Sequence, residues 1–251
     1  MRLSVIIPAY NALDKVLRTV QSVLQTTDRQ HTEVLVQDDA SPEYDGPTVL
    51  GQMCKRNAAN LGFGGNCNAG AARARGDVLL FLNQDCWPIH PGWDEKLLDF
   101  FELQPKAAIA GPTLLFPDGR VQFAGGEFDV ACQPYHIALG AENPDWEPIA
   151  TPRKVQWVTG AALAVRRDVW QQLGGFDPAY RAYFEDVDLC VRALMQGWEV
   201  WHRPNIRFYH SVASTGGSPH FMASAQTFKE RYVDSGIVTP DSHFMMVRYW
   251  A

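Results

Sequence analysis

The sequence predicts a single α/β domain with a mostly parallel central sheet and helices on both faces. Three observations lead there. The chain opens strand, helix, strand, the order of a right-handed βαβ unit. The most convincing buried strand, Val78–Asn83, follows an Ala-rich helical stretch. No repeat, low-complexity tract or linker divides the 251 residues.

The elements follow in order. Leu3–Ile7 is a β-branched run that Pro8 ends. Asp14–Gln25 places Val16, Leu17, Val20, Val23 and Leu24 at helical spacing. Glu33–Gln37 is the second strand and closes on Asp38 and Asp39; Ala40–Pro47 is rich in turn formers. A weak third strand is expected near Gly51–Lys55. Gly62, Gly64 and Gly65 form a turn before a helix over Asn66–Arg75. Asp85 stands just past the strand Val78–Asn83, and a helix over Gly92–Leu103 and a strand over Ala107–Leu115 complete a nucleotide-sized first half, residues 1–115. The second half, residues 116–251, is mixed. Phe116–Ala150 is rich in Gly and Pro, with Val121–Ala124 and Glu127–Val130 suited to a hairpin. Trp157–Val165 reads as a strand, and Arg167–Leu173 and Glu185–Gln196 as helices. Glu199–His202 and Arg207–His210 read as short strands. Ser211–Pro219 is Gly/Ser-rich, expected to be mobile when empty and to order over a bound ligand. His220–Ser235 is a final amphipathic helix.

Composition narrows the function. Hydrophobic residues make up 46% and charged residues 20%, which excludes a disordered or collagen-like chain. The net charge of -6 argues against a nonspecific nucleic-acid binder. Aromatic residues reach 12%, with 8 Trp, enough to fill a core and to line a site for flat rings and sugars. The cysteines (Cys54, Cys67, Cys86, Cys132 and Cys190) form no CxxC pair, so they read as small apolar side chains in a reducing compartment. No apolar run approaches the ~18 residues of a membrane span. Pro8, Tyr10 and Asn11 cut the first apolar stretch too short for a signal peptide. A cytoplasmic protein is expected, at the inner face of the membrane.

Polar residues gather at three strand ends: Pro8-Ala9-Tyr10-Asn11, Asp38-Asp39, and Asn83-Gln84-Asp85. Open α/β sheets bind ligands there. Asp38 and Asp39 would repel phosphate but can accept from the N–H groups of a base or the hydroxyls of a ribose. Asp85 could reach phosphate through Mg²⁺ or Mn²⁺. The run Arg56–Gly65 is only a distant likeness of a glycine-rich phosphate loop. Glu185, Asp186 and Asp188 open a helix together. The helix dipole accounts for one or two acids there; three crowded ones raise a pKa and prepare a general base. Asp186 and Asp188 lie about 200° apart around the helix, and Arg192 can neutralise Asp188 at i, i+4. His210 acquires meaning only if the fold brings it beside Asp85.

Five segments in order resemble the inverting family 2 glycosyltransferases of GT-A fold: LSVIIPAYNA from Leu3, EVLVQDDAS from Glu33, RNAANLGFGGNCNAG from Arg56, GDVLLFLNQD from Gly76, and the long run from Trp157 through FEDVDLC to GW. LNQD, FEDVDLC and His210 look most like the rhamnosyltransferase-like branch that builds bacterial surface polysaccharide. The resemblance implies that Pro8, Ala9, Tyr10 and Asp38 or Asp39 hold the nucleoside, with Asn60 and Gly62 along the donor. Asp85 would be the surviving carboxylate of the DxD metal motif, whose first Asp is Asn83 here, with His210 a metal or diphosphate contact. Asp186 would be the catalytic base. Trp157, Thr159, Gly160 and Glu185 would line the sugar and acceptor side. The span from Asp39 to Asn57 is short for the family, so a helix there should be reduced.

The expected function is transfer of a sugar, with inversion, from a nucleoside-diphosphate sugar to a glycan or lipid-linked acceptor, with a divalent cation, Mg²⁺ or Mn²⁺. Peripheral membrane association would bring the chain to such an acceptor. Two alternatives stay open: a sugar-phosphate nucleotidyltransferase, though Tyr10-Asn11-Ala12 stands where its basic glycine loop belongs, and a noncatalytic nucleotide- or glycan-binding module.

Overall fold

In the computed structural model, which describes residues 1–211 and 219–240, the chain begins with strand β1 (Leu3–Ala9), every residue of which is buried. Burial on both faces is what a near-continuous apolar run requires. Pro8 lies inside this strand rather than ending it. The pairing of β1 with strand β4 (Val78–Leu82) stops at Ile6, so the missing N–H of Pro8 interrupts no ladder on that side.

Helix α1 (Leu13–Thr26) buries Val16, Val20 and Val23 and leads to β2 (Thr32–Asp38), parallel to β1. Helix α2 (Gly46–Leu50) has five residues, the reduced helix expected from the short span. It leads to β3 (Cys54–Arg56), which pairs parallel with β2. Helix α3 covers Gly62–Ala71, so the three glycines form its first turn and not a turn ahead of it. Close packing explains them: a Cβ on Gly62 (φ +77°) would lie 2.7 Å from Arg181 O, and one on Gly64 3.4 Å from Phe176. Gly70 lets the same helix approach Ile6 of β1.

The remaining elements are β5 (Cys86–Pro88), α4 (Trp93–Leu103), β6 (Ala107–Leu115), β7 (Val121–Phe123), β8 (Gly126–Phe128), β9 (Pro134–His136), α5 (Glu147–Ala150), β10 (Arg153–Lys154), β11 (Ala162–Arg166), α6 (Arg167–Leu173), α7 (Glu185–Met195), β12 (Glu199–His210) and α8 (Pro219–Phe228). The main sheet runs β10-β12-β6-β11-β4-β1-β2-β3, with β5 on β12 and β7 on β6. β3, β2, β1, β4, β6 and β12 point one way, and β11 and β10 run against them. The crossovers from β1 to β2 and from β3 to β4 step in opposite directions. Right-handed connections therefore put α1 and α3 on opposite faces of the sheet.

Three expectations are corrected. The hairpin does not form: β7 pairs with β6 and β8 with β9, because the chain turns at Gly125 (φ +98°). The strand expected over Trp157–Val165 starts only at Ala162. Trp157 makes a single bridge with Gly126, and a turn at Thr159–Gly160 intervenes. Glu199–His202 and Arg207–His210 are one strand whose register slips between Arg203 and Arg207, where Pro204 has no N–H to give. The Gly/Ser-rich segment expected to order over a ligand falls at 212–218, outside the described residues.

Candidate active site

The crevice opens where the strand order reverses, between β1 and β4, the switch point at which such sheets take ligands. Beyond β1, Asn11 and Ala12 both adopt left-handed backbone (φ 54° and 49°). The Asn11 N–H donates to Ser41 Oγ and the Ala12 N–H to the Glu43 carboxylate. Gln84 ties the loops after β1 and β4 together: its Oε1 accepts from Tyr10 N–H and its Nε2 donates to Tyr10 O.

A cavity of about 440 Å³ at this point is lined by Pro8, Ala9, Tyr10, Asp39, Asn60, Gly62 and Asp85. A larger one of about 610 Å³ is lined by Trp157, Thr159, Gly160, Glu185 and Asp186. Phe63, Asn83 and His210 wall both, so the two are compartments of one crevice. Apart from Asp38, the predicted donor residues line the smaller compartment and the predicted acceptor residues the larger.

The acidic pair at the end of β2 divides. Asp38 is fully buried and does not line the crevice. Its Oδ1 accepts from Ser41 N–H and Oγ–H, and its Oδ2 from Arg56 at 2.7 Å. It holds the turn that carries Asp39. Asp39 accepts from the N–H groups of Leu61 and Gly62 and from Asn57 Nδ2, which fastens the start of α3 beside the end of β2.

On the other wall, β12 brings His210 beside Asp85, with Nε2 3.3 Å from Oδ1. Lys15 Nζ, from α1, lies 3.3 Å from Asp85 Oδ2. Burial would raise the Asp85 pKa, but the hydrogen bond and charge of His210 and the charge of Lys15 outweigh it and hold the carboxyl below its usual range. Gln122 orients the imidazole. Its Nε2 donates to His210 O, so its Oε1, 2.6 Å from His210 Nδ1, accepts. With Nδ1 donating to Gln122, Nε2 is the nitrogen that faces Asp85: protonated, it donates to Oδ1, and without that proton it would offer its lone pair to a cation. Carboxylate oxygen and imidazole nitrogen are ligands that Mn²⁺ accepts, and their separation suits neighbouring positions on one ion, roughly 3 Å for bonds of about 2.1 Å. Among the described residues no group of three or more His, Cys, Asp or Glu surrounds one point.

In the larger compartment, the entry to α7 aims Asp186. Tyr183 and Phe184 both have φ of 67°, a costly backbone for aromatic residues that recurs at functional sites. Asp186 Oδ2 accepts from Gly160 N–H at 2.7 Å and Oδ1 from its neighbour Val187 N–H at 2.8 Å. Burial raises the Asp186 pKa above the usual carboxylate range, against the pull of these two N–H groups and of His136. Glu185 is 5% exposed and its Oε2 has no hydrogen-bond partner among the described residues. Burial, then the Asp186 charge, push its pKa well above the usual carboxylate range. Asp188 faces the interior, where Arg192 (2.7 Å) and Tyr232 Oη (2.6 Å) hold it. Glu185 and Asp186 both line the crevice, and Asp186, held by two N–H groups, has the less raised pKa of the two.

Lys15, Gln122 and His136 also belong to the crevice and its walls, and the sequence analysis does not single them out. Lys15 had a faint signal, a cation in the first turn of a helix, where the dipole disfavours one. Gln122 and His136 lie in the stretch without periodicity, where no pattern points to either.

Residues 4–160 match the profile of glycosyl transferase family 2, and residues 89–233 that of glycosyl transferase family group 2. The chain is 30% identical over 235 residues to the O-antigen biosynthesis protein RfbC of Myxococcus xanthus, a match that covers 85% of this chain and 18% of that protein. It is 33% identical over 187 residues to the N-acetylglucosaminyl-diphospho-decaprenol L-rhamnosyltransferase of Mycobacterium tuberculosis, covering 64% of this chain and 59% of that one. The chain thus spans less than two thirds of the length of either relative. Among solved structures, GalNAc-T7 with UDP, GalNAc and Mn²⁺ superimposes with a TM-score of 0.72 at 20% identity, over 91% of this chain and 48% of that one, a likeness of fold.

Proposed function

Since the chain belongs to glycosyl transferase family 2, we propose that it moves a hexose, with inversion, from a nucleoside-diphosphate sugar to an acceptor hydroxyl. The observation that carries this reading is the crevice itself: a carboxylate of raised pKa, Asp186, shares it with the Asp85–His210 pair. The nucleoside lies against Pro8, Ala9, Tyr10 and Asp39, with Asn60 and Gly62 along the donor. Asp186 takes the proton of the acceptor hydroxyl, and the oxygen attacks the anomeric carbon on the side opposite the diphosphate. Gly160 N–H and Val187 N–H hold the carboxylate ionised and aimed. Asp85 and His210 would hold a divalent cation, which when bound offsets the charge that develops on the leaving diphosphate. Lys15 adds a fixed positive charge on the same side. No covalent intermediate is required.

The relatives suggest the substrates. One is named for O-antigen biosynthesis and another for L-rhamnose transfer to a decaprenol-linked N-acetylglucosamine. L-rhamnose is therefore the first sugar to try, and an N-acetylglucosaminyl diphosphate lipid the first acceptor. No helix among the described residues is long and apolar enough to cross a membrane. Such an acceptor would be met from the membrane surface, by the side of the larger compartment where Phe221 is 44% exposed.

A thermal-shift panel of nucleoside-diphosphate sugars with and without Mn²⁺ tests the reading. At about 100 times the dissociation constant a ligand adds about 2.7 kcal/mol to the native state. The expected result is a shift with at least one sugar nucleotide, larger with Mn²⁺, followed by release of nucleoside diphosphate on adding acceptor. Binding without turnover would favour the noncatalytic module.

Two variants separate the roles. Asp85→Ala should remove the Mn²⁺ dependence of both binding and turnover, and His210→Ala should cost less, because the carboxylate carries the charge a neutral imidazole lacks. Full activity of Asp85→Ala, or of wild type in excess chelator, would refute the cation's role. Asp39→Ala should weaken free nucleoside diphosphate about tenfold or more in calorimetry, since a hydrogen bond to a charged group is worth about 1.5–3 kcal/mol. Unchanged affinity would take Asp39 out of the donor site.

A further inference from the structure

His136 ends β9, in the stretch where the sequence carries no pattern. Its ring packs against Phe123 and Trp157, with centroids 5.0 and 5.3 Å away. Its Nδ1 lies 3.1 Å from Gln122 O. A carbonyl can only accept, so Nδ1 carries a hydrogen, and in the neutral ring Nε2 keeps its lone pair. Burial holds the imidazole pKa below its usual value, which favours the neutral ring. Nε2 makes no hydrogen bond within the described residues, and the ring lines the larger compartment together with Asp186 and Trp157.

Gln122 therefore sets two imidazoles in the same way. Its side-chain oxygen takes the Nδ1 hydrogen of His210 on the diphosphate side. Its backbone oxygen takes that of His136 on the other side. One imidazole faces Asp85. The lone pair of the second stands in the compartment of the base, with no partner of its own. Asp186 and an ionised acceptor oxygen are both acceptors, so neither can occupy it. What it fits is a donor.

We propose that His136 is an acceptor-binding residue: its Nε2 accepts a hydrogen bond from a hydroxyl or amide N–H of the acceptor sugar, next to the hydroxyl that Asp186 deprotonates. This rests on the glycosyl-transfer reading and assigns the sugar's orientation. An acceptor without a donor group beside its reactive hydroxyl would leave the lone pair unmet and be turned over less well.

The test uses the whole chain, with N-acetylglucosaminyl diphosphate on a short prenyl chain as acceptor and the best sugar nucleotide of the panel as donor. His136→Phe keeps a flat ring against Phe123 and Trp157 and removes the lone pair. The expected result is an acceptor KM raised about 2–10-fold, the worth of one neutral hydrogen bond. The donor KM should stay at the wild-type value. His136→Gln, which restores an acceptor oxygen, should recover part of the loss. An unchanged acceptor KM in His136→Phe, or an equal rise in donor KM, overturns the assignment. Should His136→Phe not fold, the nitrogen spectrum of the wild-type imidazoles decides: the Nε2 signal of His136 moves when acceptor is added, and a stationary signal overturns the proposal. Failure of the underlying reading is seen separately, as a wild type that releases no nucleoside diphosphate from any sugar nucleotide, and takes this assignment with it.

Discussion

Asp186→Asn is expected to lower sugar transfer by about 10²–10⁴-fold, the usual worth of a general base, while donor binding persists. The substitution keeps the shape of the side chain, and the amide oxygen can still accept from Gly160 N–H or Val187 N–H. Only the basicity goes. The wild-type pH profile should carry the same mark. Burial raises the pKa of Asp186, and activity needs its deprotonated form. Activity is therefore full above that raised pKa and is lost as pH falls through it, at a higher pH than an ordinary aspartate near ~3.9 would give. The acid limb should vanish from the residual activity of Asp186→Asn. A variant that transfers within a few-fold of wild type would move the base to Glu185. Asp188 is a poor substitute, since both its oxygens are engaged in the interior.

Asp188→Asn should be the most destabilising change near the site. Asp188 is fully buried, pairs with Arg192 at 2.7 Å and accepts from Tyr232 Oη at 2.6 Å. Arg192 in turn donates to Leu173 O and Gly175 O, so the ion pair clamps the end of α6 against α7. Removing one charge leaves the guanidinium half-compensated, at a cost of about 3–5 kcal/mol. For a chain of this length that is a fall in Tm of roughly 6–20 °C, at about 2–4 °C per kcal/mol. Asp186→Asn should leave Tm near the wild-type value or raise it, because it relieves a buried charge. The two neighbours thus separate in calorimetry as they do in the fold. An Asp188→Asn protein that melts with wild type would mean that the pair contributes nothing net.

The first half of the fold was legible because its strands are apolar runs bounded by polar residues. Ala107–Leu115 was expected over the span it occupies, since all nine residues are buried on both faces. Errors arose where tertiary contact overrode local preference. The glycines of 62–65 look like a turn in isolation; in the fold Gly62, with φ +77° and no room for a Cβ beside Arg181 O, starts a helix there. The expected hairpin failed because β7 folds back on β6, the strand just before it, and is not free to pair with β8. At the site, Asp85, Asp186 and His210 could be named because charge at a strand end or helix start is a local signal. The division of labour between Asp38 and Asp39 could not, since it depends on Arg56 and on the amides of α3. His136 and Gln122 announce themselves only through hydrogen bonds across the crevice.

The configuration of the product tests the central claim most directly. With a sugar nucleotide of known anomeric configuration and the lipid-diphosphate acceptor, the proton coupling at the anomeric carbon of the product reports inversion or retention. A single displacement with Asp186 as base predicts a product inverted at that carbon from the wild type and almost none from Asp186→Asn. A product of retained configuration would contradict the account.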